Sequence, residues 1–226
     1  MRNDLFPPFS TVVQETVSLT LKGILTEHFF RTLLRVIIGF SIGALVGTIV
    51  GIITGYKALL DKSLSPVISF FYPIPAIGWV PLLMLWVGIT EALPILVIAI
   101  HSFFPVCYTT RSGIKSIDQR IVKVARSLGA KGKDLILRVI IPSALPHVFA
   151  GLRLSSGGSW RVVIAAEMLA IPKGLGALVM KAESLIRPDI ILSCLFILAL
   201  MSLFFERIFL FLEKKQFSNG ISPYAH

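Results

Sequence analysis

An all-α, polytopic membrane fold with about five transmembrane helices is predicted by three features of this 226-residue chain. Charged residues make up 15% of it and hydrophobic ones 55%, where soluble domains are about 25% charged. Mean hydropathy is +0.84. Uncharged runs long enough to cross a bilayer recur, and the basic residues gather between them. The formal net charge of +10 would suggest nucleic acid in a soluble protein, but no aromatic-interleaved basic platform accompanies it. Membrane lipid is the expected neighbour, and no nucleic acid is. Cys107 and Cys194 fall inside apolar runs, which predicts buried reduced thiols and no disulfide framework.

Residues 1–35 read as an N-terminal extracytoplasmic amphipathic segment. Its opening, "MRNDLFPPFS", has no charged stretch followed by an apolar core, so a cleaved signal peptide is not expected. Further on, Val13, Val17, Leu21 and Ile24 share one helical face, as in a helix lying on a membrane. Residues 36–215 form the transmembrane domain and 216–226 a cytoplasmic tail.

Span one is Val36 to Tyr56, an uncharged run that covers about 30 Å at about 1.5 Å per residue. Along it Gly39, Gly43, Gly47, Gly51 and Gly55 recur at every fourth position, a strip that lets another helix approach closely. Intramolecular packing is favoured over a dimer seam for this strip. Span two, Ser63 to Thr90, carries Pro66, Pro73, Pro75 and Pro81 and is expected to be broken at "YPIPAIGW". Spans three, four and five are Ala92 to Thr110, His147 to Ile171 and Ile190 to Leu212.

Eight basic residues stand against Asp118 and Asp134 between Arg111 and Arg138, which puts that segment in the cytoplasm. The N-terminus, the Glu91 turn and the Pro172 to Asp189 loop are then expected outside. Within the 111–142 loop, Ser116 and Gln119 have capping-box spacing, Gly129 suits a left-handed stop, and a second helix from about Lys131 should be closed by Pro142. The first of these helices shows an apolar stripe of Ile121, Val124, Ala125 and Leu128 with Arg120, Lys123 and Arg126 around it. Headgroups and a groove on a partner are equally able to bury such a stripe.

The pattern Val124-Ala125-x3-Gly129, followed nine residues later by Val139-x-Ile141-Pro142, resembles the EAA loop of binding-protein-dependent ABC importer permeases. Lys123 stands where that pattern has Glu, and Val124 where it has the first Ala. "PIPAIGWVPLLMLWVGI", "IPSALPHVFAGLRL" and "WRVVIAAEML" are similar to the nitrate, sulfonate and taurine branch, and the resemblance covers roughly Leu5 to Lys215. It implies the type I importer permease fold and favours the partner groove: Lys123, Val124, Ala125, Arg126, Ser127, Leu128, Gly129, Ala130 and Pro142 are the implied ATPase-coupling residues. The implied partners are ABC ATPase subunits, an extracytoplasmic solute-binding protein and a second permease copy. ATP and Mg²⁺ would sit on the ATPase, since this chain has no phosphate loop, no resident cofactor is expected, and the permease hydrolyses nothing. The branch's additional N-terminal span is not seen before residue 36, which implies a five-span version or a late start at Met1.

Arg153, Arg161 and Glu167 lie in or at the ends of span four, where charge is a functional hypothesis by default. Arg161 is the deepest, and pairing with a carboxylate or carbonyl competes with an anion-pathway role. Candidates for the translocation path are Pro73, Pro75, Trp79, Ser156, Trp160, Arg161 and Glu167. No metal or catalytic residue is expected. The expected function is import of a small solute such as a sulfonate, taurine or nitrate. A thiamine-precursor permease, a gradient-driven transporter or channel, and a non-transporting scaffold are the rivals.

Overall fold

The computed structural model describes residues 7–218. The predicted tail beyond Ser218 and the first six residues lie outside the described residues. Every regular element among the described residues is helical.

Helix α1, Phe9–Leu21, begins on Pro8 and stops at Gly23, whose φ of +74° only glycine adopts easily. Its buried residues are Val12 and Leu19, and the apolar face expected to lie on the membrane, Val13, Val17 and Leu21, is exposed. On the opposite side the Thr16 hydroxyl donates to Ser193 Oγ at 2.8 Å. Helix α2, Ile24–Tyr56, starts twelve residues before the uncharged run does. Arg31 and Arg35 do not end it because carboxylates from the turn at Glu91 and from a later helix meet them.

Span two is broken as its prolines predict. Helix α3, Ala58–Phe71, contains Pro66 and ends before a 3-10 turn at Ala76–Trp79, which leads into α4, Val80–Val87. Helix α5, Ala92–Lys115, continues past Thr110. Helices α6, Gln119–Ser127, and α7, Gly132–Leu135, follow.

Two expectations about the loop fail. The N-cap of α6 is Asp118, whose Oδ1 accepts from Arg120 N–H at 2.8 Å. Ser116 still belongs to the end of α5, donating to the Gly113 carbonyl at 2.9 Å, so its hydroxyl is not available to the next helix. Nor does Pro142 close a helix. The chain passes from α7 through a π turn at Ile136–Ile140 into α8, Ile141–Ala170. A proline ring collides with the carbonyl four residues back, and the wider π turn moves the Arg138 carbonyl aside.

The predicted loop between spans four and five contains a further helix, α9, Leu175–Ser184, whose Leu175, Gly176, Leu178, Val179 and Ala182 are buried. Its end is unusual: Ile186, β-branched, has φ +54°. Arg187 beside it bonds Asp189 and Glu15, and these carboxylates, Asp189 foremost, raise the guanidinium pKa above its ordinary value. Helix α10, Pro188–Ser218, is the last.

The chain packs as two compact units, each with parts of several helices. The first takes the residues up to Ser41, Pro75–His101 and Gly157–Phe204. Its apolar core joins Val80 and Leu83 of α4 to Leu93 and Val97 of α5 and Ala166 of α8. The second takes Ile42–Ile74, Ser102–Ser156 and the residues from Phe205. Its core gathers Ile114, Leu135, Ile140 and Ala144.

The glycine strip packs within the chain. A Cβ on Gly47 would stand 2.7 Å from the Phe103 carbonyl of α5, and one on Gly51 2.8 Å from the Cys107 carbonyl. Gly39 and Gly55 press on Ile98 and Ile114 in the same way, each inside its own unit. Cys107 and Cys194 are both buried free thiols.

Candidate functional site

Two sets of residues carry chemistry, one in each unit. In the second unit, α6 rests on the apolar core through Val122 and Ala125, with Ala130 following the turn. That seat turns Ile121, Val124 and Leu128 outward, and Leu128 is 84% exposed. Arg120, Lys123 and Arg126 are exposed around them and meet no carboxylate among the described residues. The helix stops where expected: Gly129 has φ +92°, and Ala130 N–H reaches back to the Ala125 carbonyl at 3.0 Å. Ser127 donates to the Lys123 carbonyl at 3.1 Å. Of the coupling candidates, then, Lys123, Val124, Arg126, Ser127, Leu128 and Gly129 face out, while Ala125 and Ala130 are half-buried and Pro142 lies apart at the start of α8.

In the first unit, the intramembrane charges sort by environment. Arg35 is 2% exposed and Glu167 fully buried, and Arg35 Nη1 donates to Glu167 Oε1 at 2.6 Å. Arg35 also donates through Nε to Glu91 at 2.7 Å and through Nη1 to the Lys173 carbonyl. Glu167 accepts further bonds from the Thr32 hydroxyl at 2.9 Å and from Gly176 N–H at 2.9 Å. Four elements therefore meet on one carboxylate and one guanidinium: α2, the α4–α5 turn, α8 and the start of α9. Gly174, at φ +134°, is needed there because its missing Cβ leaves the space that the Glu167 carboxyl fills.

Arg161, six residues before Glu167, has the opposite setting. It is exposed and has no carboxylate or hydrogen-bonding partner among the described residues. Arg153, nearer the start of α8, pairs with Glu213 at 3.3 Å. The competing expectation, that Arg161 is neutralised by pairing, is not met among the described residues. His101 stands against Gly158, and its buried Nε2 has no hydrogen-bond partner among the described residues.

The remaining path candidates do not share one environment. Ser156 and Trp160 are buried in the chain, Ser156 donating to the Arg153 carbonyl at 2.9 Å. Trp79 is half-buried on the core of Val80 and Leu83. Pro73 and Pro75 are exposed. Sequence reasoning did not count Arg35 among the site residues. A signal existed: a carboxylate deep in an apolar span needs a cation, and Arg35 borders an apolar run.

Residues 43–218 match the family model described as "Binding-protein-dependent transport system inner membrane component". The chain is 37% identical over 196 residues to an ABC transporter permease protein of Methanocaldococcus jannaschii, covering 86% of this chain and 73% of that one. It is 31% identical over 205 residues to the taurine transport system permease protein TauC of Escherichia coli, covering 88% and 74%. Among solved structures, the crystal structure of an amino acid ABC transporter with histidines aligns at a TM-score of 0.71 with 18% identity, over 88% of this chain and 97% of that one. That last likeness is one of fold.

Proposed function

Because this chain belongs to the binding-protein-dependent transport system inner membrane components, we propose that it pairs with a second copy to form a path for a small sulfonate-type anion, with Arg161 meeting the anion. The chain is a membrane-embedded permease subunit of an ABC importer. The observation that carries the proposal is the unpartnered, exposed guanidinium of Arg161, about 20 Å along α8 from His147 at about 1.5 Å per residue. An arginine facing lipid at such depth costs about 3 kcal/mol or more, so this face of α8 is turned toward water or toward another protein surface. A two-fold arrangement supplies both, since the face opposite Arg161 is then that of an identical helix across a solvent-filled axis.

Taurine is an aminosulfonate, and the name of the E. coli relative supports that class of anion for this chain. A guanidinium fork matches the oxygens of a sulfonate as it does a carboxylate or phosphate. The energy source is a pair of ATPase subunits that hold ATP and Mg²⁺, and a binding protein delivers the solute from outside. The exposed apolar stripe of α6, ringed by unpaired cations, is the surface that meets the ATPase, and this orients the 111–142 loop to the cytoplasm.

The test is uptake of taurine into proteoliposomes that hold the permease, its ATPase and its binding protein. ATP-dependent uptake is expected, and Arg161→Gln should reduce it while membrane level and ATPase association stay normal. Uptake by Arg161→Gln indistinguishable from wild type would remove Arg161 from the path.

A further inference from the structure

Helix α3 is held to its unit at few points. Along its 14 residues only Ile68 is buried, and Leu59, Val67 and Phe70 are exposed. At its first turn Asp61 gathers three donors: Arg111 Nε at 2.5 Å, Ser65 Oγ at 2.6 Å, and Lys115 Nζ. At its other end the Tyr72 ring stacks on Tyr108, with centroids 5.7 Å apart and planes within 10°. Both anchors lie on α5.

The placement of the first anchor matters. Arg111 and Lys115 are one turn apart at the end of α5, so both reach a single carboxylate. Ile114, between them, is buried in the cluster on which Val122 and Ala125 of α6 rest. The chain leaves Lys115 and starts α6 after three more residues. One turn of α5 is thus the seat of α6 on one side and the grip on α3 on the other. An ordinary surface ion pair would contribute little, but Asp61 is 14% exposed and Arg111 21%, so both are shielded from water. With so little apolar burial along α3, this grip governs where α3 sits more than whether the chain folds.

We propose that Asp61 is a positioning residue of the transport cycle, tying α3 to the last turn of α5 so that a displacement of α6 is carried into α3. The proposal rests on the reading of α6 as the ATPase contact. A helix gripped at Asp61 follows α5, and a helix released there is free to lag, because it buries Ile68 alone and its last residues hold α5 through the Tyr72 ring, which meets Tyr108 and Phe104.

Spin labels at Leu64 on α3 and Gln119 on α6, in the permease reconstituted with its ATPase subunits, report whether the two elements move together when ATP is trapped with vanadate. In the wild type the separation should stay constant. In Asp61→Asn it should change while the ATPase remains bound, and taurine imported per ATP hydrolysed should fall roughly two- to thirty-fold, the range typical of coupling residues. Asp61→Glu should recover most of the ratio, and the exchange of Asp61→Arg with Arg111→Asp should recover more than Asp61→Arg alone. Should Asp61→Asn fail to accumulate, Arg111→Gln and Lys115→Gln each remove one cation and should give intermediate ratios. A constant separation with a wild-type import ratio in Asp61→Asn, or in both of these substitutes, overturns the proposal. Failure of the underlying reading looks different: wild-type proteoliposomes would then import taurine without ATP, or no ATPase would associate, and both readings would go.

Discussion

The amide of Ala130 donates to the carbonyl of Ala125 at 3.0 Å, closing α6 across Gly129. This bond requires the left-handed backbone of Gly129 at φ +92°, and it fixes the direction in which the chain leaves the exposed stripe.

Gly129→Leu should therefore separate coupling from folding. A branched side chain at that backbone costs about 1 to 3 kcal/mol locally. A Cβ there meets nothing within 4 Å, so the penalty is conformational rather than steric. The expected protein reaches the membrane at normal level but loses ATPase co-purification or ligand-stimulated hydrolysis, and with either loss its uptake. Gly129→Asn should be milder, since Asn tolerates this region better. Full uptake with normal ATPase binding in Gly129→Leu would show that α6 is not the coupling contact.

The Arg35 and Glu167 pair should behave as a buried structural pair. Glu167→Ala removes the buried carboxylate and leaves Arg35 only the exposed Glu91, which should cost about 3 to 5 kcal/mol, read as a large drop in the melting temperature of the detergent-solubilised protein. Arg35→Met combined with Glu167→Met should melt above Glu167→Ala, because removing both charges avoids stranding one. A double variant no better than the single would mean that the other partners, Thr32, Glu91 and the Gly176 amide, dominate the site.

Side-specific cysteine labelling checks the orientation with little background, because both native thiols are buried. A cysteine replacing Lys181, on α9, should react with an impermeant maleimide in intact cells, and one replacing Lys123 only after permeabilisation. The reverse pattern would invert the assigned topology.

The parts of this fold that are legible in sequence are those written in neighbouring residues. The break of span two follows from Pro73 and Pro75, the stop of α6 from Gly129, and the stripe from Ile121, Val124 and Leu128. What was not legible depended on partners far along the chain. The start of α2 was misplaced because Arg31 and Arg35 look like a boundary until Glu91 and Glu167 are brought to them. Glu167 itself looked like an end-of-span residue able to reach water. Helix α9 passed for a loop because ten residues interrupted by charges at Lys181 and Glu183 carry too short an apolar pattern. Pro142 reads as a terminator in any local rule, yet the chain enters it through a π turn and the helix runs on.

The distance in sequence between Arg35 and its acidic partners also sets an order of events during synthesis. Glu91 follows Arg35 by 56 residues and Glu167 by 132. At about 5 to 20 residues per second, roughly 3 to 11 s pass before the first carboxylate has been made and roughly 7 to 26 s before the second. Through that interval the ribosome has delivered a bilayer-spanning α2 whose arginine has no carboxylate from the later helices. Its guanidinium lacks its buried partner until α8 arrives, so α2 cannot take its final depth before α8 is made, although it is made early.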